Sequence, residues 1–201
     1  MNDLTIGVLA YNHERVLGDL LESILKQETS YRFDVVVGVD YCTDRTIDIA
    51  KKYRDLYPNF IRVIEHEVNI GGNKNYLDVL SRCTGRYMII HDGDDIMMPG
   101  KIERMCNFLD TNQECSIVAH TMLRADSKLK NINEKSDIRD LPEIFDLDFM
   151  VSNYIAFSNS QKMYRLPIRL PQINNTIDFG LDIAHVRHNK IGFINEPLGI
   201  K

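Results

Sequence analysis

The sequence predicts an α/β fold, a doubly wound, mostly parallel sheet with helices on both faces. Short apolar runs rich in β-branched residues alternate with segments whose apolar residues recur at helical spacing, as in strand–crossover–strand units. The run Phe33-Asp34-Val35-Val36-Val37-Gly38-Val39 lacks the alternation of a half-exposed strand, as expected where helices cover both faces. Acidic residues also sit where two strands should end. Asp40 follows the valine run, and Tyr87-Met88-Ile89-Ile90 leads into His91-Asp92-Gly93-Asp94-Asp95. Ligands of such sheets gather at the carboxyl ends of the strands, so these distant acids are predicted to share one crevice.

The elements follow in order. Leu4 to Leu9 is a buried first strand, Asn12 is placed to cap a helix, and Leu17, Leu20, Leu21 and Ile24 mark that helix's apolar face. After the turn Asp40-Tyr41-Cys42-Thr43-Asp44, a second helix is spaced by Ile49, Tyr53 and Leu56, and a third strand spans Phe60 to Ile64. Asn69-Ile70-Gly71-Gly72-Asn73-Lys74-Asn75 is a glycine-bearing entry to a third helix carrying Leu77 and Leu80; its amides face either phosphate or nothing in particular. Ile102, Met105, Cys106 and Leu109 space a fourth helix, and Ser116 to Ala119 forms a fifth strand. Periodicity lapses from Arg124 to Asp140, which predicts a surface loop. Asn153 to Arg165 regains strand character, with Lys162, Arg165 and Arg169 as solvated charges or, less simply, an anionic acceptor surface. Asp178 to Ala184 opens a helix, and Ile191 to Ile194 is a short strand.

Composition bounds the function. A chain of 201 residues with 44% hydrophobic content builds one domain, 1–201, with a substantial core. A net charge of -5 and no long basic run argue against nucleic acid as the main partner. The four cysteines form no CxxC pair, so neither zinc nor a disulfide framework is signalled, and a reducing, cytoplasmic setting fits. The N-terminus has no signal-peptide pattern and no apolar run approaches a membrane span, so membrane contact, at the inner face, is expected to be peripheral at most.

Three carboxylates in four positions repel one another unless a cation, hydrogen-bond donors or bulk water holds them. A hard metal ion carrying a phosphorylated ligand satisfies that requirement. The alternative is that Asp94 or Asp95 caps the helix announced by Pro99.

Taken together, these motifs resemble the family 2 glycosyltransferases of GT-A fold along nearly the whole chain. The first strand leading into Tyr11-Asn12 looks like the family's opening, where the tyrosine lies against the nucleobase. Asp40-Tyr41-Cys42-Thr43-Asp44-Arg45-Thr46 is similar to its second-strand motif; Asp40 takes the position that pairs with the base, and Val39 replaces the preceding acid. Lys74-Asn75 falls where an Arg-Asn pair is common beside the nucleotide, keeping the charge but losing the planar fork. Asp92-Gly93-Asp94 matches the DxD element, which implies Asp92 near the ribose and Asp94 on the metal, and Met98-Pro99-Gly100-Lys101-Ile102 resembles the segment after it. Asp178-Phe179, followed by Lys190-Ile191-Gly192-Phe193 and Glu196-Pro197-Leu198, resembles the segment with the catalytic base, which implies Asp178.

The resemblance divides the chain into a nucleotide-sugar-binding half, 1–121, and an acceptor and catalytic-base half, 122–201. It implies an inverting transferase that uses Mn²⁺ or Mg²⁺ and a nucleoside-diphosphate sugar, a UDP-sugar by preference, with a glycan or lipid-linked hydroxyl as acceptor in cell-surface polysaccharide synthesis. Some members continue into an Arg-x-His element; this sequence stops before one could occur, through truncation or through absence from the subfamily. Asp182, one turn after Asp178, competes as the base, although a solvated helix acid is its plainer reading. A metal set of Asp182, His185 and His188 is set aside, and His91 is expected to pack or hydrogen-bond at the strand end. Two rivals stand beside the transferase. One is a catalytically weak nucleotide-sugar-binding module or partner subunit of an assembly complex. The other is a sugar nucleotidyltransferase, whose glycine-rich basic N-terminal loop Gly7-Val8-Leu9-Ala10-Tyr11 does not resemble.

Overall fold

The computed structural model describes residues 2–125, 132–133, 140–168 and 177–201, with the backbone alone at 132–133 and 177–178. Strands β1 (Leu4–Ala10), β2 (Phe33–Val39), β3 (Ile61–Glu65) and β4 (Tyr87–Asp92) alternate with helices α1 (Leu17–Leu25), α2 (Thr46–Leu56) and α3 (Gly72–Ser81). The four strands pair in parallel in the order β3-β2-β1-β4. Then come β5 (Ile96–Met97), α4 (Lys101–Thr111), β6 (Cys115–Ala125), β7 (Ile132–Asn133), β8 (Ile144–Phe145), α5 (Leu147–Ser152), a 3-10 turn at Asn159–Gln161, β9 (Lys162–Arg165), α6 (Ile177–Val186) and β10 (Lys190–Ile200). The same sheet continues β4-β9-β6-β10-β5, with β9 antiparallel to both its neighbours and β6 parallel to β10.

The valine run shows why the sheet is covered on both sides. Val35, Val37 and Val39 enter one core with Leu17, Leu20, Leu21 and Ile24 of α1 and Ile102, Met105, Cys106 and Leu109 of α4. Val36 enters the other, with Tyr76 and Val79 of α3 and Met88 and Ile90 of β4. Successive side chains of a strand point to opposite faces, so a continuous apolar run feeds two layers at once. Helix α3 lies close against the sheet because Gly7 and Gly38 leave room for it. A Cβ on Gly7 would come within 2.5 Å of Val79 Cγ1, and one on Gly38 within 2.3 Å of Val79 Cγ2.

Several expectations shift. Asn12 does not cap α1, which starts at Leu17 with no side-chain cap; it has φ 54° and accepts the Thr43 N–H at its side-chain oxygen. Leu56 and Leu77 are exposed, because α2 turns Thr46, Ala50 and Tyr53 inward and α3 turns Asn75, Tyr76 and Val79. Both β6 and β10 run eleven residues, well past Ala119 and Ile194. The apolar signal stops at His120 and at Asn195-Glu196-Pro197, but pairing continues across irregular register. Only the last four residues of 153–165 form a strand. Within the expected loop after Arg124, Ile132–Asn133 pair with Arg124–Ala125; Arg169 lies outside the described residues. Among the described residues no helix is long and apolar enough to cross a membrane.

The Gly38 contact yields a test. Gly38→Ala should cost about 1–3 kcal/mol by forcing α3 off the sheet, measured as a lower denaturant midpoint with unchanged slope.

Candidate active site

Register alone assembles the acidic crevice. Leu9 of β1 stands beside Asp92 of β4, and Ala10 stands beside Val39 of β2, the residue before Asp40. The ends of three adjacent strands therefore present Asp40, Tyr11 and Asp92 side by side. They open on a cavity of about 510 Å³ lined also by His13, Gly71, Gly72, Asn75, Tyr76, Asp94 and Asn159. Asn69 and Asn73 complete its polar wall, and no lysine or arginine is among the described residues lining it.

Asp40 is 3% exposed, and its carboxylate is an acceptor for three backbone amides. Tyr41 and Ile70 N–H groups donate to Oδ1 and Gly71 N–H to Oδ2, each at 2.9 Å. The carboxylate thus pins the glycine-bearing turn that starts α3, where Gly71 holds φ 84°, a conformation that favours glycine. Paired charge-to-amide bonds of this kind are stronger than neutral ones. The strand-end acid that the resemblance places on the base has a second task that its sequence motif does not advertise.

The three clustered carboxylates have three different environments. Asp94 is exposed and lines the cavity. Asp92 is half-buried; its backbone N–H donates to Ser160 Oγ at 3.0 Å and its Oδ1 accepts from Asn159 Nδ2 at 3.0 Å. Asp95 is 1% exposed, and burial pushes its carboxyl up to about 6. It caps no helix, since β5 intervenes and α4 begins after Gly100. Gly93 is required by a close approach: its N–H donates to Leu9 O, and a Cβ there would lie 2.6 Å from that oxygen and 2.5 Å from His13 Nδ1.

Behind the cluster His91 packs and hydrogen-bonds at the strand end as expected, and beside it Lys101 and His120 form buried polar structure that the sequence does not announce. His91 is fully buried, and desolvation together with the nearby Lys101 drops it to about 3, so it is neutral, with Nδ1–H directed at Asp92 O. Lys101 is fully buried and donates to the Ser160 carbonyl; burial lowers it to about 7. His120 is buried and held well below its ordinary value by burial first and Lys101 second. A lysine at the mouth of an amphipathic helix normally signals solvent, so nothing in its spacing announced this.

Tyr11, Asp40, Asp92 and Asp94 are brought together on this one cavity. Lys74 does not line it: the lysine is exposed on the first turn of α3. Asp178 is the second residue of α6, where the backbone alone is described. Its competitor Asp182 is buried, with Oδ2 accepting from the fully buried Lys162 at 2.8 Å and Oδ1 from Tyr164 Oη at 2.7 Å. Neither solvated charge nor acceptor surface describes Lys162 or Arg165. The Arg165 guanidinium donates to the carbonyls of Leu109 and Cys115, tying the end of α4 to β6. Among the described residues no group of three His, Cys, Asp or Glu side chains is arranged to hold a metal.

The profile of Glycosyl transferase family 2 matches residues 5–168. The chain belongs to this family. An uncharacterized protein of Mycobacterium tuberculosis is 24% identical over 204 residues, covering 98% of this chain, which spans only 58% of that relative's length. Poly(ribitol-phosphate) beta-N-acetylglucosaminyltransferase TarS of Staphylococcus aureus is 31% identical over 112 residues, 55% of this chain and 19% of TarS. The crystal structure of TarS 1-349 with UDP-GlcNAc matches all of this chain and 58% of its own at TM-score 0.76 and 23% identity. Mannosyltransferase PcManGT of Pyrobaculum calidifontis, in complex with GDP-Man and Mn²⁺, matches all of this chain and 56% of its own at TM-score 0.73 and 14% identity. At these identities the structural matches establish the GT-A fold.

Within this family 2 fold, two buried lysines give predictions. Asp182→Asn should destabilise by about 3–5 kcal/mol, because Lys162 is left charged and uncompensated; Lys162→Met with Asp182→Leu should recover most of that in denaturant titration. Lys101 is held at about 7 in the fold against about 10.5 in an unfolded chain. Between those values the unfolded state binds the extra proton, so stability should rise as pH rises from about 7 to 10. Lys101→Met should flatten that slope in a series of urea melts.

Proposed function

We propose that this domain is an inverting glycosyltransferase that moves a sugar from a nucleoside-diphosphate sugar, with UDP preferred, to a hydroxyl of a glycan or lipid-linked acceptor. The observation that carries the reading is the convergence of Tyr11, Asp40, Asp92 and Asp94 on one cavity at the carboxyl ends of β1, β2 and β4 in a family 2 fold. TarS with UDP-GlcNAc and PcManGT with GDP-Man and Mn²⁺ support a nucleotide-sugar donor; they differ in the base. The name of TarS supports a polyol-phosphate or glycan acceptor, and a cell-surface polysaccharide role at the cytoplasmic face is part of the proposal.

The lining tests whether a divalent ion fits. A diphosphate here would face Asp92 and Asp94 with no lysine or arginine among the described lining residues, so its charge needs a cation from outside the chain. Mg²⁺ and Mn²⁺ sites of this sort take one or two carboxylates and fill the remaining positions with phosphate oxygens and water, so the lack of a three-ligand cluster among the described residues is no obstacle. Asp94, exposed on the cavity wall, is the residue to hold it, and Asp92 faces the ribose. When bound, the ion supplies Lewis-acid stabilisation of the charge growing on the leaving diphosphate.

The remaining steps belong to side chains. Tyr11, 48% exposed at the end of β1, offers a face to the nucleobase, and Asp40 shapes the turn that bounds the base pocket. Lys74, one turn into α3, reaches toward the diphosphate only if its exposed side chain swings inward. Proton removal from the acceptor hydroxyl falls to Asp178, because Asp182 is committed to Lys162 and Tyr164. Attack opposite the leaving nucleotide inverts the anomeric centre without a covalent intermediate.

Thermal shift with UDP, GDP, dTDP and CDP, each with and without Mn²⁺, tests the site. A ligand at about a hundred times its Kd adds about 2.7 kcal/mol, or about 5 to 11 °C at this size. Asp94→Ala should erase the Mn²⁺-dependent part, and an equal shift in that variant removes Asp94 from the metal. Asp178→Asn should keep nucleotide binding and cut turnover by about 10²–10⁴. Nucleotide binding without transfer by the wild type would favour the binding-module rival.

A further inference from the structure

The segment Ser158–Gln161 belongs to the second half of the chain, yet it crosses the carboxyl end of β4. It precedes β9, which lies between β4 and β6 and so brings the turn over the acidic strand end. We propose that this turn is a positioning element of the donor site, in which Asn159 sets the Asp92 carboxylate and Ser160 anchors the turn beneath the acidic cluster. The proposal rests on the cavity being a nucleoside-diphosphate site.

Asn159 lines the cavity, is 8% exposed and donates from Nδ2 to Asp92 Oδ1 at 3.0 Å. Ser160 is fully buried. Its Oγ accepts the Asp92 N–H at 3.0 Å. Its carbonyl accepts from Lys101 Nζ and stands 3.2 Å from His120 Nε2. The turn is also braced internally: Ser158 N–H and Oγ both donate to Gln161 Oε1, and Gln161 Nε2 donates to the His120 carbonyl at 3.0 Å. Asp92 is therefore gripped at both its backbone and its carboxylate from a distant part of the chain, while Asp94 is left to the cavity.

The chemistry of the grip matters. A neutral amide orients a carboxylate without cancelling its charge, whereas lysine or arginine at position 159 would form an ion pair with it. The amide thus fixes where Asp92 meets the ribose hydroxyls. Groups that orient a ligating side chain typically change affinity by about 10- to 100-fold when removed.

The test is calorimetric titration of UDP and GDP at saturating Mn²⁺ into the full chain and into Asn159→Ala, Asn159→Ser and Asn159→Asp, with the melting temperature of each unliganded protein. Asn159→Ala should weaken the better nucleotide by about 10- to 100-fold. Asn159→Ser, which keeps a donor, should fall between it and the wild type, and Asn159→Asp should be weakest because it sets two carboxylates together. Folded variants that bind as the wild type does overturn the proposal. Should Asn159→Ala unfold, Asn159→Ser and Asn159→Asp carry the ranking, and unfolding of all three makes the turn a purely structural element and overturns it too. A wild type that binds neither nucleotide overturns the donor-site reading itself, and the proposal with it.

Discussion

The register of β1 with its two neighbours is the constraint on which the rest of the site depends. Because Leu9 stands beside Asp92 and Ala10 beside Val39, the chain leaves the sheet at nearly one level on three adjacent strands. The hydrophobic pattern enforces that level. A slip of one residue in β1 would turn Leu4, Ile6 and Val8 out of the core they share with α1 and α4 and into the space where α3 meets Gly7. The cores on the two faces thus hold the acids of the crevice in place without touching them. Beyond the strand ends local bonding takes over: Gly93 folds back on Leu9, and Asp40 gathers the turn at Ile70 and Gly71.

Beneath the crevice the protein tolerates costly burial. Lys101, Asp95, His91 and His120 are all buried, and burial pushes each toward its neutral form. Elsewhere in the fold, Lys162 and Asp182 form a bonded pair with Tyr164 closing the other oxygen. Such arrangements seldom stabilise a fold more than well-packed apolar residues would, and removal of one partner is what proves expensive. Their use here is geometric. Hydrogen bonds have direction, and apolar contacts do not, so a turn that must hold Asp92 at a fixed place is held by Lys101 and Ser160 rather than by another leucine.

Much of this was legible from residues alone, and the exceptions share a cause. Strands and helices whose partners are helices on both faces announce themselves by apolar pattern, so β1 to β4, α1 and α4 were readable, as was the meeting of Asp40 with Asp92. The second half is less legible because its order comes from polar contacts between distant segments. His120 and Thr121 look like the end of a strand, yet they are buried within an eleven-residue one. Lys162, Arg165 and Lys101 look like solvated charges, yet each finds its acceptors 20 to 59 positions away. Asn159 carries no pattern at all. Its role exists only because β9 is inserted antiparallel between β4 and β6, a pairing that no local periodicity encodes.

The distribution of charge around the crevice has a consequence for what it can bind. Asp40 has its charge answered by three backbone amides, and burial pushes Asp95 toward protonation. Asp92 is oriented by an uncharged amide, and Asp94 is open to solvent. The wall therefore presents carboxylates and, among the described residues lining it, no lysine or arginine. An anionic ligand arriving alone would be repelled, and a cation arriving alone would find too few ligands among the described residues to be held. Each supplies what the other lacks, since phosphate oxygens complete the cation's coordination and the cation offsets the phosphate charge. On the proposed reading, a wall built this way would favour the pair over either member and would link recognition of the donor to recognition of the ion.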